Sequence, residues 1–327
     1  MQFVSSDEID RHLDFPSLID ALAAAFAGDF FAPARHHHRL GAGATAATHL
    51  LMPAWTGTVP ARGAWLGTKI VNVFPSNAGL GLPAVLGVYV LQSGETGAPL
   101  AILDGTRLTH LRTAASSALA ARFLARADAS HLLMVGAGAL APCLVRAHAS
   151  VRPISRVTLW NHRRESAERL ARLLSGAGFD ISVSDDLQAA VAQADIVSCA
   201  TMSQSALIQG PWLRPGVHVD LVGAFSMAMR ECDDAALLRA KLYIDTPAAL
   251  TEGGDVALGL ASGAITPASI VADLAALCRG AAQGRESCAE ITLFKSVGAA
   301  IEDLAAAILV WERIGKVLAQ APAKPSA

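Results

Sequence analysis

A chain of 327 residues exceeds what one hydrophobic core usually organises, so two domains are expected. Its 53% apolar and 17% charged content, with a net charge of −2, describes a well-packed protein without the electrostatic footprint of a nucleic-acid or anionic-membrane binder. No apolar run reaches the roughly 20 residues that span a bilayer. The opening MQFVSSDEIDRHL lacks a secretory pattern, and five cysteines without a C-x-x-C pair read as reduced thiols of a cytoplasmic protein, not as a disulfide frame or metal site.

Two short helices are predicted first, over 5–13 and 14–28, with Asp14 as cap, Pro16 in the first turn and Gly28 at the end. Arg35-His-His-His-Arg39 follows. Consecutive histidines do not share one face of a helix or strand, so a basic turn is preferred to a metal site. Strands are predicted over 48–52, 65–74, 84–91 and 100–103, giving a mostly antiparallel sheet. One charge, Lys69, interrupts the apolar strand WLGTKIVNVF; it is either an edge residue snorkelling to water or a functional group. A long helix is predicted over 114–126 with Thr113 as its cap. Arg112 would then stand beside a helix N-terminus, where it could hold an anion or simply lie on the surface.

From residue 131 strands and helices alternate regularly. The apolar run HLLMV enters Gly136-Ala-Gly138-Ala-Leu-Ala141 and then a helix. This G-x-G-x-x-A turn is weak alone, since ordinary strand-to-helix turns share it, but it opens a βαβ series. The glycines allow a tight turn and close backbone approach to a pyrophosphate, and a small third residue lets helix and strand pack. Strands over 156–160, 181–183, 195–200, 217–222 and 241–244, with helices over 165–175 and 187–194, predict a Rossmann-type doubly wound parallel sheet. The second strand ends in Trp160-Asn-His-Arg163-Arg164, with no carboxylate for a ribose 2′-hydroxyl. Two arginines there suit a 2′-phosphate, favouring NADPH with NADH possible; exposed charge at a helix start is the alternative. EITLFKSVGAAIEDLAAAILV is predicted as a short loop and a long apolar helix over 290–317 that returns to the first domain, and Gln320–Ala327 has tail-like composition.

Several motifs occur in a recognisable order: Leu51-Met-Pro53; Lys69-Ile-Val-Asn72 with Pro75 and Asn77; Gly81-Leu-Pro83; and Leu108-Thr-His-Leu-Arg-Thr-Ala114. The GAGALA turn, Val222-Gly-Ala-Phe225 with Arg230-Glu231, and Phe294-Lys-Ser-Val-Gly298 continue the series. Together they resemble the ornithine cyclodeaminase/mu-crystallin family over nearly the whole chain. The resemblance implies a homodimer whose Rossmann-type sheet, residues 126–290, is inserted into a second α+β domain for substrate binding and dimerisation, residues 1–125 plus 291–327. It also implies that Arg39 and Arg112 bind a substrate carboxylate and that Lys69 faces the reacting carbon and nitrogen. Implied cofactor contacts are Thr113, the turn Gly136, Ala137, Gly138, Ala139 and Leu140, and the second-strand tip Asn161, Arg163 and Arg164. Further contacts fall on Cys199, Ala200 and Thr201, on Val222 and Gly223, and on Ser296.

Ornithine-cyclising members carry acids where Leu50 and Phe225 stand, and Phe225 would instead wall a ring. The segments LLMPAW, KIVNVFP, LPAVLGVYVL, DLVGAF and EITLFKSVG most resemble the branch that reduces cyclic ketimines, making L-proline from Δ1-pyrroline-2-carboxylate and L-pipecolate from Δ1-piperideine-2-carboxylate. An alanine dehydrogenase-like reductive amination, ornithine cyclodeamination and a mu-crystallin-like ligand-binding role stand as alternatives. No metal, nucleic acid or membrane partner is implied.

Overall fold

In the computed structural model, which describes residues 1–42 and 46–320, the chain divides into two compact units, residues 1–112 with 300 onward and residues 113–299. The tail-like composition lies, from residue 321, outside the described residues. In the first unit β1 (Gln2–Val4) leads into a capping box in which Ser5 and Glu8 satisfy each other's N–H groups, starting α1 (Ser6–His12). Asp14 accepts from the Ser17 N–H at 2.9 Å to start α2 (Phe15–Ala27), and Gly28 ends it, as the sequence predicts. There follow β2 (Phe30–Phe31), β3 (His36–Leu40), β4 (Ala47–Thr56), β5 (Trp65–Val73), β6 (Val85–Ser93) and β7 (Pro99–Asp104).

These seven strands form one sheet, ordered β1-β7-β6-β5-β4-β2, with β3 also paired to β4. All pairs are antiparallel except β1 with β7. The histidine run is therefore an exposed strand and not the basic turn expected: five ladder pairs to β4 hold His36–Leu40 extended.

The next helix corrects another expectation. α3 (Gly105–Leu124) begins well before Thr113, because Asp104 accepts from the Arg107 N–H at 2.8 Å in the manner of an N-cap. Arg112 thus lies within the helix and gains nothing from a helix N-terminus. Residues 105–112 of α3 belong to the first unit and the rest to the second.

The second unit runs β8 (His131–Val135), α4 (Ala141–Ala149), β9 (Arg156–Trp160), α5 (Arg164–Leu174), β10 (Asp180–Val183), α6 (Leu187–Gln193), β11 (Ile196–Cys199) and β12 (His218–Leu221). It continues with α7 (Asp234–Arg239), β13 (Lys241–Ile244), α8 (Gly254–Ala261), β14 (Ile270–Asp273), α9 (Leu274–Cys278) and β15 (Thr292–Lys295). Its eight strands are all parallel, in the order β10-β9-β8-β11-β12-β15-β13-β14. Strands β8, β11 and β12 are buried throughout, polar His131, Ser198, His218 and Asp220 included, as in a sheet covered on both faces.

β15 is the largest departure from the predicted elements. TLFK, expected in a loop of the first domain, pairs with β12 and β13 in the interior of the parallel sheet, so the segment from residue 291 does not leave the second unit. A four-residue segment such as TLFK is too short to be assigned to strand or helix by periodicity. The chain then enters α10 (Ala300–Gln320), which packs with α1 and α2 and lies over β4, β5 and β6 in the first unit. Along β5 and β6 the residues beneath this layer are buried (Gly67, Lys69, Val71, Tyr89, Leu91), while Leu86 and Val88 on the opposite face are exposed.

Candidate active site

Lys69 is buried in the middle of β5, so its ammonium must be compensated within the protein. α10 supplies the compensation. Lys69 Nζ lies 2.7 Å from Asp303 Oδ2, and the Arg112 guanidinium donates from Nε to Asp303 Oδ1 at 2.9 Å and from Nη1 to Glu302 Oε2 at 2.6 Å. All four side chains are buried, and two cations against two carboxylates leave the cluster neutral. Burial and the adjacent Arg112 charge pull the Lys69 ammonium down to about 8, against the opposing pull of Asp303. Burial opposes the Arg112 charge, but Asp303 and Glu302 outweigh it and hold the guanidinium firmly protonated. Arg112 Nη2 makes no hydrogen bond among the described residues, so one edge of the fork is available.

Tyr89 stands directly opposite Lys69 on β6, its hydroxyl buried and without a partner among the described residues. Gly67 makes room for it, since a Cβ there would sit 2.7 Å from Tyr89 Cε1. Burial and the Asp303 charge push the Tyr89 phenol well above its ordinary range. Arg39 pairs with Thr48, and Lys69 with Met52, so Arg39 shares Lys69's face of the sheet. It lies about 13 Å along the strand direction and two strands away, outside the ion-paired cluster. Leu50 is on this face too.

In the second unit the chain leaves β8 through Gly136 at φ 105°, a left-handed conformation suited to glycine. A Cβ there would stand 2.5 Å from Ala200 O and 3.1 Å from Thr201 Cγ2. The turn and the end of β11 are therefore packed backbone to backbone where the strand order reverses, between β8 and β11. Gly138 faces open space, Leu140 caps α4 without using its side chain, and Ala141 is buried against the sheet. The first turn of the helix has no spare donor, since Pro142 lacks an N–H and the Ala141 and Cys143 N–H groups go to Gly138 O at 3.1 Å and Leu140 O at 3.0 Å; an anion would meet the turn before it.

At the tip of β9 no carboxylate appears. Asn161 Nδ2 donates to Arg163 O at 3.0 Å, and Arg164 is engaged by Glu168 at 2.9 Å and by Asp185. Arg163 is exposed and makes no side-chain hydrogen bond or ion pair among the described residues, so the two expected arginines reduce to one. Beyond β15, Ser296 is buried and its hydroxyl has no partner among the described residues. An orphaned hydroxyl and a left-handed turn with no room for a side chain at Gly136 both fit a dinucleotide. Thr113 lies within α3, half-buried; Phe225 is 41% exposed; Cys199 is buried, and burial pushes its thiol well above the ordinary range, which removes it as a nucleophile.

The sequence reading assigns no role to four buried carboxylates, although Glu231 stands within the Arg230-Glu231 motif. Glu302 and Asp303 carry a signal in the sequence, adjacent acids within GAAIEDLAAAILV. Glu231 and Asp255 are also fully buried. Burial pushes the Glu231 carboxyl up to about 7 despite the nearby Lys295 ammonium. Among the described residues no group of three His, Cys, Asp or Glu is placed to hold a metal, and no helix is long and apolar enough to cross a membrane.

A doubly wound parallel sheet with a glycine turn at its switch point, joined in one chain to a sheet carrying a buried Lys–Arg–carboxylate cluster, defines a two-unit nucleotide-binding α/β protein. The chain belongs to the ornithine cyclodeaminase/mu-crystallin family, whose sequence profile matches residues 3–317. It is 46% identical over 271 residues to the Delta(1)-pyrroline-2-carboxylate reductase of Paracoccus denitrificans, covering 81% of this chain and 84% of that protein. Its fold is similar to that of the Thermococcus litoralis Delta(1)-pyrroline-2-carboxylate reductase in complex with NADH and L-proline. The TM-score is 0.90 at 31% identity, over 97% of this chain and 98% of that one. An archaeal alanine dehydrogenase dimer with bound NAD has a TM-score of 0.89 at 28% identity, over 97% of both chains.

The ion cluster makes a direct stability prediction. Asp303→Ala strands the buried Lys69 ammonium, leaves Arg112 with Glu302 alone and lowers the unfolding free energy by about 3–5 kcal/mol in urea titration. The same change at exposed Glu168 shifts it by less than about 1 kcal/mol. Equal effects at the two positions would show that the buried pairs do not carry the first unit.

Proposed function

We propose that this protein reduces cyclic ketimines with a reduced nicotinamide dinucleotide, converting Δ1-pyrroline-2-carboxylate to L-proline and Δ1-piperideine-2-carboxylate to L-pipecolate. The observation that carries this reading is the buried Lys69 held between Asp303 and Arg112, in a chain similar to two named pyrroline-2-carboxylate reductases. When bound, the reduced nicotinamide supplies a hydride to C2 of the ring imine. The chain's own residues bind the substrate and handle its proton. The open Nη2 edge of Arg112, with Arg39 on the same sheet face, takes the ring carboxylate and orients C2. Lys69 Nζ gives its proton to the imine nitrogen, and Asp303 stabilises the ammonium until that transfer. Hydride at C2 and proton at nitrogen complete the secondary amine. Phe225 is the candidate apolar wall for the ring, and the absence of acids at Leu50 and Phe225 disfavours cyclodeamination of a diamino acid.

In this reading the second unit is the dinucleotide domain. Its turn Gly136–Leu140 takes the pyrophosphate, with further contacts from Thr113, Asn161, Cys199, Ala200, Thr201, Val222, Gly223 and Ser296. Arg163, at a strand tip without a carboxylate, favours NADPH; NADH is the alternative, since the similar structures hold NADH in one case and NAD in the other. The first unit binds substrate and dimerises: Ile70 and the exposed Leu86 and Val88 on one sheet face suit a second copy of the chain. A cytoplasmic location agrees with five free cysteines.

The deciding assay follows oxidation of the reduced dinucleotide with Δ1-pyrroline-2-carboxylate, with pyruvate plus ammonia, and with neither. Turnover on the imine alone supports the proposal; turnover only with pyruvate and ammonia replaces it with reductive amination of a keto acid. On the imine, kcat/KM falls as pH rises through about 8, where Lys69 loses its proton, and Lys69→Met removes that limb together with most of the activity. An unchanged pH profile in the variant assigns the proton to another donor. Arg163→Ala raises KM for NADPH about 10-fold and leaves NADH within 2-fold, a charge-assisted phosphate contact being about 1.5–3 kcal/mol. Equal effects on both cofactors would exclude Arg163 from the 2′-phosphate site. Light scattering is expected to give twice the chain mass, and a Val88→Glu/Leu86→Glu double variant half of that.

A further inference from the structure

Glu231 is fully buried in the loop between β12 and α7, and its donors are backbone or near-backbone groups at the start of its own loop and of the loop after β11. Its Oε1 accepts from the Thr201 N–H at 2.7 Å and the Thr201 hydroxyl at 2.8 Å, just after β11. Its Oε2 accepts from the Gly223 N–H at 2.8 Å and the Ala224 N–H at 3.2 Å, just after β12. One carboxylate thus spans the ends of two adjacent parallel strands. The packing leaves no slack: a Cβ at Gly223 would run into the Thr201 backbone and sit 2.5 Å from Glu231 Oε1. Thr201 in turn bears on Gly136, so the clamp reaches the glycine turn as well. Glu231 is held from behind. Asp255 Oδ1 accepts from the Glu231 and Cys232 N–H groups at 2.7 and 2.9 Å, and Asp255 Oδ2 lies 3.1 Å from Lys295 Nζ at an angle too poor for a hydrogen bond.

In a doubly wound sheet the adenosine half of a dinucleotide lies over the second strand, here β9, and the other half lies beyond the switch point over β11 and β12. We infer that Glu231 is a positioning residue for the nicotinamide half of the cofactor, its carboxylate fixing the Thr201 and Gly223–Ala224 loops in the shape that receives it. A carboxylate is required because the backbone at both loop ends offers donors only. An amide in its place turns an NH2 group toward N–H groups that then have no acceptor. This inference rests on the cofactor reading given above, and the test separates the two.

NADH and NADPH binding are followed by nicotinamide fluorescence, without substrate, for the wild type, Glu231→Gln and Glu231→Asp. Amide hydrogen exchange is read on the same samples. Glu231→Gln is expected to weaken dinucleotide binding about 10-fold or more, a lost hydrogen bond to a charged group being about 1.5–3 kcal/mol. It also speeds exchange at Thr201, Gly223 and Ala224 while Leu132–Val135 stays protected, and it raises KM for the dinucleotide with KM for the imine unchanged. Glu231→Asp keeps the charge with a shorter reach and falls between the two. Wild-type protein that binds neither dinucleotide removes the cofactor reading itself. Wild-type binding with an equally tight, folded Glu231→Gln overturns the positioning role. If neither variant folds, the wild type still decides: free exchange at Thr201, Gly223 and Ala224 before dinucleotide is added overturns the clamp, and protection there supports it.

Discussion

The first unit is organised by a requirement that two cations placed under a helix be neutralised where water cannot reach them. Lys69 comes from a strand, Arg112 from the following long helix, and Glu302 and Asp303 from the last helix. Removing four charges from water is unfavourable, and the arrangement persists because each ion has a partner at hydrogen-bonding distance. What the arrangement sets most directly is the acidity of Lys69. A lysine held near pH 8 by burial and a neighbouring guanidinium keeps its proton at neutral pH and releases it without a large penalty, whereas a solvated lysine releases its proton reluctantly.

The second unit solves a different problem with the same economy of parts. The proposed dinucleotide site asks for close backbone approach, and the turn after β8 meets that with a left-handed glycine packed on the end of β11. Buried acids behind it, Glu231 against the loops and Asp255 against Glu231, provide rigidity from outside the ligand's volume. In both units, then, the carboxylates shape the site while the groups proposed to meet ligands are cations, hydroxyls and backbone.

Much of this was legible in the chain. The alternating strands and helices of the second unit, the glycine turn and the caps at Asp14 and Gly28 appear where the patterns put them, because each depends on local chemistry. Lys69 stood out as one charge in an apolar strand. What escaped notice depended on distant partners. Asp303 and Glu302 meet Arg112 across about 190 positions in the chain, which no local pattern encodes. β15 is four residues long and is a strand only because β12 and β13 flank it. The predicted start of α3 falls late because Asp104-Gly105 reads equally well as a turn or as a cap and first residue. The shared face of Arg39 and Lys69 required a ladder register that only the assembled sheet supplies.

The position of α10 also sets the order of assembly. The sheet of the first unit leaves the ribosome early, but the carboxylates that neutralise it are translated only after the whole second unit, at a separation of 191 residues from Arg112 to Asp303. Until then Lys69 and Arg112 cannot be buried without unmatched charge, so the nascent sheet remains hydrated and loosely packed. The second unit, contiguous in sequence, has no such dependence. Vectorial synthesis therefore favours folding of the inserted unit first, with the enclosing one closing last around its own final helix.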